Sequence, residues 1–409
     1  MAKDYKDLVV GLDIGTAKVM VVVAEVLPGG DLKLAGLGVA ASNGLKRGVV
    51  VNIDATVQSI QLALKEAELM ADCKITRVYT GITGSHIRGI NSSGMVAVKD
   101  REVTQADVAR VVETAKAINI STDQRLLLVE PQEFVIDGQD VKEPIGMSGI
   151  RLEAKVHIVT GAQSAAENII KCVRRCGLEV DQLMLNPLAS SLSVLTDDER
   201  ELGVALVDIG AGTTDVAIFT GGAIRHTSVI PIAGDLITSD IAMALRTPTK
   251  DAEDIKVESG YAKQLLTDAE TQVEVPGLGD RGPRLLSRQA LAGVIEPRVE
   301  EIFALVHQVI RESGFEEVLS SGIVLTGGSC VMPGMVELGE DIFLKPVRRG
   351  IPKYSHALSD MVAHPRAATV MGLLEEARLA RMRGFKVAQK NGSMKTALGQ
   401  VKDWFVGNF

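Results

Sequence analysis

Aromatic residues are scarce in this chain: eight Phe, four Tyr and one Trp among 409 residues, the tryptophan at position 404. Cysteine is scarcer still. Cys73, Cys172, Cys176 and Cys330 form no C-x-x-C pair and lie apart from most histidines, which excludes a disulfide framework and a zinc site and fits buried thiols in a reducing compartment. No apolar run reaches 18 residues, so no membrane-spanning helix is expected. The apolar start is interrupted by Asp13 and Lys18 and does not read as a signal peptide. Positive charge is in deficit as well: a net charge of −8 argues against a general nucleic-acid binder. What remains is 46% hydrophobic residues over a length that predicts two to four domains with real cores.

The most informative stretch is Val207-Asp208-Ile209-Gly210-Ala211-Gly212-Thr213-Thr214-Asp215, preceded by an apolar run that reads as a buried strand. Its glycines allow a tight turn with several N–H groups aimed at one spot, a nest that holds phosphate oxygens. The threonines add donors, and Asp208 and Asp215 can hold a hydrated Mg²⁺. An ordinary glycine turn would look much the same, but the motif recurs. Leu8-Val9-Val10-Gly11-Leu12-Asp13-Ile14-Gly15-Thr16-Ala17-Lys18 shares the Asp-Ile-Gly core, 195 residues earlier. Each copy is followed by strand, glycine turn and strand: 19–26, 28–30 and 32–37 in the first, 215–219, 221–222 and 223–229 in the second. The repeat predicts two related half-molecules that face one another across a triphosphate.

Between the copies, a helix is expected from Asp54 to Met70 and a strand from Ile75 to Thr80, which leads into Gly81-Ile82-Thr83-Gly84, read as a plain turn. Residues 85–160 read as an inserted α/β subdomain for protein contacts: strands at 87–98, 126–130, 134–136 and 154–160, and a helix capped by Thr104. His157 alternates with apolar neighbours and is expected to be structural. Helix 165–176, strand 178–184 and helix 189–195 precede Asp197-Asp198-Glu199-Arg200-Glu201, read as a charged hinge. After the second hairpin come helix 237–245 and a helix that places Glu253 and Lys256 three residues apart, able to face one cleft. Beyond them lie a short strand at 273–275, a Gly/Pro-rich loop at 276–283 and a long helix at 288–311, where Pro297 marks a kink or a start. A third strand-glycine unit, Val324-Leu325-Thr326-Gly327-Gly328-Ser329, would let a flat ring approach the backbone, and residues 364–374 begin a closing helix.

In order and spacing this set resembles the actin, Hsp70 and sugar-kinase superfamily of ATPases: two phosphate loops, an adenosine loop at 324–329, and connecting helices at 186–195 and 364–374. Glu68-Leu69-Met70-Ala71-Asp72-Cys73, residues 203–208, Ser239-Asp240-Ile241-Ala242, Val294-Ile295-Glu296-Pro297-Arg298 and the tail look closer still to the FtsA family, the bacterial cell-division homologues of actin. The resemblance implies an α/β, bilobed actin-like ATPase fold, each lobe a duplicated RNase H-like βββαβαβα unit, with a small α/β subdomain inserted in the first lobe. It divides the chain into a first-lobe core (1–84 and 161–196, closed by 364–380), the insertion (85–160), a second-lobe core (197–235 and 312–363), an adenosine-side subdomain (236–311), a flexible linker (381–393) and a terminal helix (394–409). It further implies ATP with Mg²⁺ between the lobes. Gly15, Thr16, Lys18, Gly210, Gly212, Thr213 and Thr214 would contact phosphates. Asp13, Asp208 and Asp215 would hold the metal through water, with Asp208 also a catalytic candidate. Gly234, Glu253, Lys256, Gly327, Gly328 and Ser329 would line the nucleoside site.

One residue departs from the pattern. Many relatives open the first connecting helix with Glu-Pro, whose Glu orients the attacking water; here the pair is Asn186-Pro187. An amide cannot take a proton as a carboxylate does, so binding with slow turnover at most is expected, with nucleotide favouring a polymer. By resemblance the partners are FtsZ, held by 236–311, later division proteins recruited through the insertion, and further copies of the chain. An adaptor of another envelope machine, such as pilus assembly, or a soluble ATPase or kinase of the same fold are the alternatives.

The tail carries its own signal. Met394, Ala397, Leu398, Val401, Trp404 and Phe405 fall at 3-4 spacing on one helical stripe, with Lys395 and Lys402 off it. Residues 381–409 hold six basic side chains and one acid. Such a helix is marginal in water and would fold in the headgroup layer of an anionic membrane; the family resemblance then implies a peripheral protein on the cytoplasmic face of the inner membrane at the division septum. A helix packed on the body is the other reading of the same spacing.

Overall fold

The computed structural model describes residues 7–279, 281–354 and 358–390, the last six of these as backbone only. Two five-stranded sheets share one topology. In the first, Leu8–Ile14 pairs antiparallel with Lys18–Val26 on one side and parallel with Arg77–Ile82 on the other; Leu32–Ala41 and Glu179–Leu185 form the edges. In the second, Val204–Ile209 pairs antiparallel with Thr214–Thr220 and parallel with Ile323–Thr326, between edges Ala223–Ile230 and Val347–Arg349. Apart from Asp13 and Asp208 near their C-terminal ends, these central strands are apolar and almost wholly buried, because both faces are covered.

The cover decides how the lobes meet. The closing helix Ala368–Lys390 lies on the first sheet, with Val370, Met371 and Leu374 in one core with Val9, Met20 and Val22. It also crosses the helix Asn186–Val194 so closely that a Cβ at Gly372 would sit 1.7 Å from the carbonyl oxygen of Ala189. On the second lobe, helices Gly234–Leu245 and Arg288–Ser313 pack on the other sheet through Ile237, Ile241, Leu291, Ile295 and Phe303.

The insertion is a four-stranded sheet, ordered Arg88–Ala97, Arg151–Ala162, Gln124–Ile136, Gln139–Val141, over the helix Gln105–Lys116. Thr104 and Asp107 form a reciprocal capping box at that helix. The insertion also reaches the second lobe. His157 is buried, with Nδ1 2.6 Å from Asn91 Oδ1 and Nε2 2.9 Å from Thr227 Oγ1. Burial, with the nearby His226, pushes its pKa down to about 4, so the ring is a neutral bridge. Arg225 Nη1 adds an ion pair to Glu133 Oε1 at 2.7 Å.

Several elements differ from the sequence expectation, each for a local reason. The strands expected at 126–130 and 134–136 are one strand, Gln124–Ile136, because the register skips Gln132 and the bulge accommodates Pro131, which has no N–H to give. The charged segment at 197–201, expected as a hinge, forms the helix Asp197–Leu202, started by the capping box of Thr196 and Glu199 and by acids in its first turn. The loop at 276–283 turns a hairpin whose second strand, Arg284–Ser287, was not expected. Ser287 caps the long helix, so Pro297 lies in its interior. The closing helix continues to Lys390, through most of the stretch expected as linker. The terminal helix at 394–409 lies outside the described residues. Among the described residues no helix is long and apolar enough to cross a membrane.

Candidate functional site: a cleft between two phosphate-type turns

Both hairpins end in the same turn. Gly15 N–H donates to Lys18 O and Gly210 N–H to Thr213 O, each at 2.9 Å. The turns face each other across the lobes, since a Cβ at Gly212 would come within 2.6 Å of Thr16 Oγ1. Thr16 Oγ1 in turn accepts from Gly48 N–H at 3.2 Å. Lys18 Nζ lies 2.9 Å from Asp13 Oδ2, so the ammonium stands at the mouth of the first turn.

Three carboxylates line the floor. Asp13, Asp208 and Asp215 are all buried, at the ends of the first hairpin strand of each lobe and opposite in the second ladder. Ser190 Oγ donates to Asp208 Oδ2 at 2.6 Å, and Thr83 Oγ1 donates to Asp215 Oδ1. Burial, with the charge of Asp13, raises Asp208 to about 6. Burial and then the charge of Asp208 raise Asp215 to about 8. Like charges forced together without water are what a divalent cation relieves, so the donor set fits Mg²⁺. Among the described residues no three His, Cys, Asp or Glu side chains converge tightly enough to ligate an ion directly.

The third loop closes on the same floor. Gly327 has φ +87°, and a Cβ there would fall 2.4 Å from Asp208 Oδ1, so only glycine fits. Ser329 Oγ donates to Gly210 O at 2.8 Å, and Gly234 approaches Ser329 closely. Lys256 Nζ reaches Glu253 Oε2 at 2.6 Å, Thr238 Oγ1 at 2.8 Å and Gly234 O at 3.2 Å. Gly328 is open: nothing lies nearer its Cβ position than Arg366 Cβ at 3.9 Å, which leaves room for a ring. Thus Gly234, Glu253, Lys256, Gly327, Gly328 and Ser329 gather on one side of the two turns. Thr214, expected at the phosphates, turns its hydroxyl the other way: it is buried and donates to Ile232 O at 2.7 Å.

The structure adds residues that sequence reasoning passed over. Thr83, in a loop read as a plain turn, bridges the lobes at Asp215. Ser190 and Thr369, from the two crossing helices, meet each other at 3.0 Å beside Asp208. Their only signal was polarity inside helices of small apolar residues. Asn186 is buried with Oδ1 lacking a hydrogen-bond partner, pressed against Gly81, where a Cβ would lie 2.1 Å away.

Paired hairpin lobes closed by crossing helices around acid-and-glycine turns define an actin-like ATPase fold. Comparison with known proteins agrees. The PilM-PilN type IV pilus biogenesis complex superposes with a TM-score of 0.65 at 18% identity, covering 90% of this chain and 98% of that one. MreB 5 of Spiroplasma citri bound to AMPPNP gives 0.56 at 15%, covering 94% and 99%. At such identities the likeness is one of fold. The family model for cell division protein FtsA matches residues 205–372, and that for the SHS2 domain inserted in FtsA matches residues 84–160. Cell division protein FtsA of Pseudomonas aeruginosa is 54% identical over 98% of both chains, and that of Escherichia coli K12 46% over 100% of this chain and 99% of its own. The chain belongs to the FtsA family of cell-division proteins and is a cell-division homologue of actin.

Proposed function

We propose that this protein binds ATP with Mg²⁺ in the cleft, turns it over slowly, polymerises in the bound state, and tethers FtsZ filaments to the cytoplasmic membrane through residues 394–409 at the division septum. The observation that carries the nucleotide part is the convergence of three glycine loops on the buried Asp13, Asp208 and Asp215. Gly15, Thr16, Lys18, Gly210, Gly212 and Thr213 would cradle the phosphates, and Gly234, Glu253, Lys256, Gly327, Gly328 and Ser329 would line the nucleoside site. Bound Mg²⁺ would supply charge to set against the phosphates and the three acids. Asn186 stands where a base would orient water, and its amide supports slow hydrolysis. FtsZ would dock on 236–311, and later division proteins on the insertion.

The acid cluster gives the nucleotide reading a signed test. An acid whose pKa is raised on folding holds its proton more tightly when folded, so ionising it costs stability as pH rises from its unfolded value of 3.8 through its folded value. The nucleotide-free protein should therefore lose stability across pH 4 to about 8. Mg²⁺-ATP should raise the melting temperature more at pH 8 than at pH 6, because the cation offsets charges that exist only when Asp208 and Asp215 are ionised. Calorimetry at both pH values checks this. An equal shift, or a larger one at pH 6, would overturn it.

The membrane reading rests on the tail pattern. The full chain should sediment with anionic vesicles, and more with ATP than without, since a polymer multiplies a weak anchor. Trp404→Glu should lose at least about tenfold in vesicle affinity, since a buried aromatic is worth about 1.5–3 kcal/mol. If neither protein sediments, the soluble-ATPase reading moves forward. Co-sedimentation with FtsZ, compared with a pilus inner-membrane peptide, separates the division adaptor from the pilus one.

A further inference from the structure

Away from the nucleotide cleft, a cavity of about 900 Å³ opens where the insertion, both lobes and the closing helix meet. Much of its wall is apolar, with Val129, Met184, Leu192, Phe219 and Leu379 from five different elements. Leu192 and Leu379 are only partly buried. Several of its charges are matched within the fold: Arg383 Nη2 lies 3.0 Å from Glu376 Oε1, Arg225 pairs with Glu133 and Lys142 with Glu201, while Glu130, Asp140 and Arg200 also line it. Glu376, Leu379 and Arg383 present one face of the closing helix to this space.

The chain itself suggests the occupant. The closing helix is described as far as Lys390, and Asn391-Gly392-Ser393 has the length and composition of a tight turn between antiparallel helices. A helix folded back about a turn centred near residue 392 would bring Val401 level with Arg383 and Phe405 level with Leu379, since both helices rise about 1.5 Å per residue. Those are the positions at which the closing helix lines the cavity. The stripe Leu398, Val401, Trp404 and Phe405 would then enter the apolar wall, while Lys395 and Lys402, off the stripe, stay in water.

We propose that, away from membrane, residues 394–409 fold back on the closing helix and occupy this cavity, so that membrane and cavity compete for the same apolar face. The inference rests on the membrane-anchor reading above. Docking hides the anchor, and apparent vesicle affinity falls by the fraction of molecules with a free tail. It also places the tail against the insertion and the second lobe, where its release would be felt by both.

Trp404 is the only tryptophan, so its fluorescence reports the tail alone. The full chain would be measured without lipid over a range of protein concentrations, by emission maximum and acrylamide quenching, then with phosphatidylglycerol-phosphatidylcholine vesicles. Leu379→Gln and Leu192→Gln, on different elements and both neutral, weaken the cavity without changing charge, and their melting temperatures check folding. The expected result is blue-shifted, protected emission in the wild type. Either variant should raise the quenching constant about threefold and lower the lipid concentration at half-binding about threefold. The proposal is overturned if wild-type Trp404 is quenched as freely as in the denatured chain. It is equally overturned if both variants leave the protection unchanged, or if protection grows with protein concentration, which would mean burial between copies. The anchor reading fails separately, through absence of vesicle binding in wild type and variants alike.

Discussion

Replacing Gly372 with leucine should leave little or no folded protein, and Gly372→Ala should already destabilise it by about 3 kcal/mol or more. A Cβ at this position would sit 1.7 Å from the Ala189 carbonyl oxygen and 2.3 Å from its carbon, so it meets backbone, not a side chain that could swing away. The two helices would have to separate along their crossing. That crossing carries Ser190 and Thr369, which meet beside Asp208, and Val370, Met371 and Leu374, which fill the first-lobe core. Overpacking of an ordinary core site costs about 1–3 kcal/mol, and here no rotamer relieves it. Alanine's better helix propensity, worth about 1 kcal/mol, offsets only part. Urea unfolding of Gly372→Ala against wild type measures the effect. A loss below about 1 kcal/mol would mean that the helices separate easily, and that the crossing is a soft hinge and not a fixed pivot.

Gly327→Ala should abolish nucleotide binding, with affinity falling at least about a hundredfold, while the protein stays folded. The backbone at Gly327 is left-handed, and a Cβ would lie 2.4 Å from Asp208 Oδ1 and 2.5 Å from Ile209 O. Relief requires the third loop to withdraw from the second phosphate turn, which takes Ser329 away from the Gly210 carbonyl and turns Asp208 out of its place. The adenosine and phosphate sides of the cleft then no longer share one geometry, and the loss compounds because one ligand must meet both. Titration with a fluorescent ATP analogue tests this, with circular dichroism as the control for folding. Retention of affinity within tenfold would place the nucleotide elsewhere than against this loop.

Much of this molecule can be read without coordinates because its functional backbone lies in local chemistry. Asp-Ile-Gly at 13–15 and at 208–210 is short, apolar before and glycine-rich after, and strand and turn formation depend on those few residues alone. Lys256 with Glu253 was legible for the same reason, as a spacing within one helix turn. Thr83, Ser190 and Thr369 were not, since a polar residue in a glycine turn or among small apolar helix residues does not by itself separate a cleft hydroxyl from one bonded elsewhere. Each acquires its role from a carboxylate on another segment, 132, 18 and 161 residues away. Thr214 shows the converse: a motif residue whose hydroxyl the tertiary fold turns inward to a backbone carbonyl.

The sequence by itself determined the two strand-and-turn units, the third glycine loop and the acids at the strand ends, because all are set by neighbours within a few residues. Only the tertiary structure decided that the turns touch through Gly212 and Thr16, that burial and mutual repulsion shift Asp208 and Asp215, that His157 ties the insertion to the second lobe, and that a cavity lies beside the closing helix. Proximity, burial and charge coupling are properties of segments far apart in the chain, and they come into being only when the lobes close on each other.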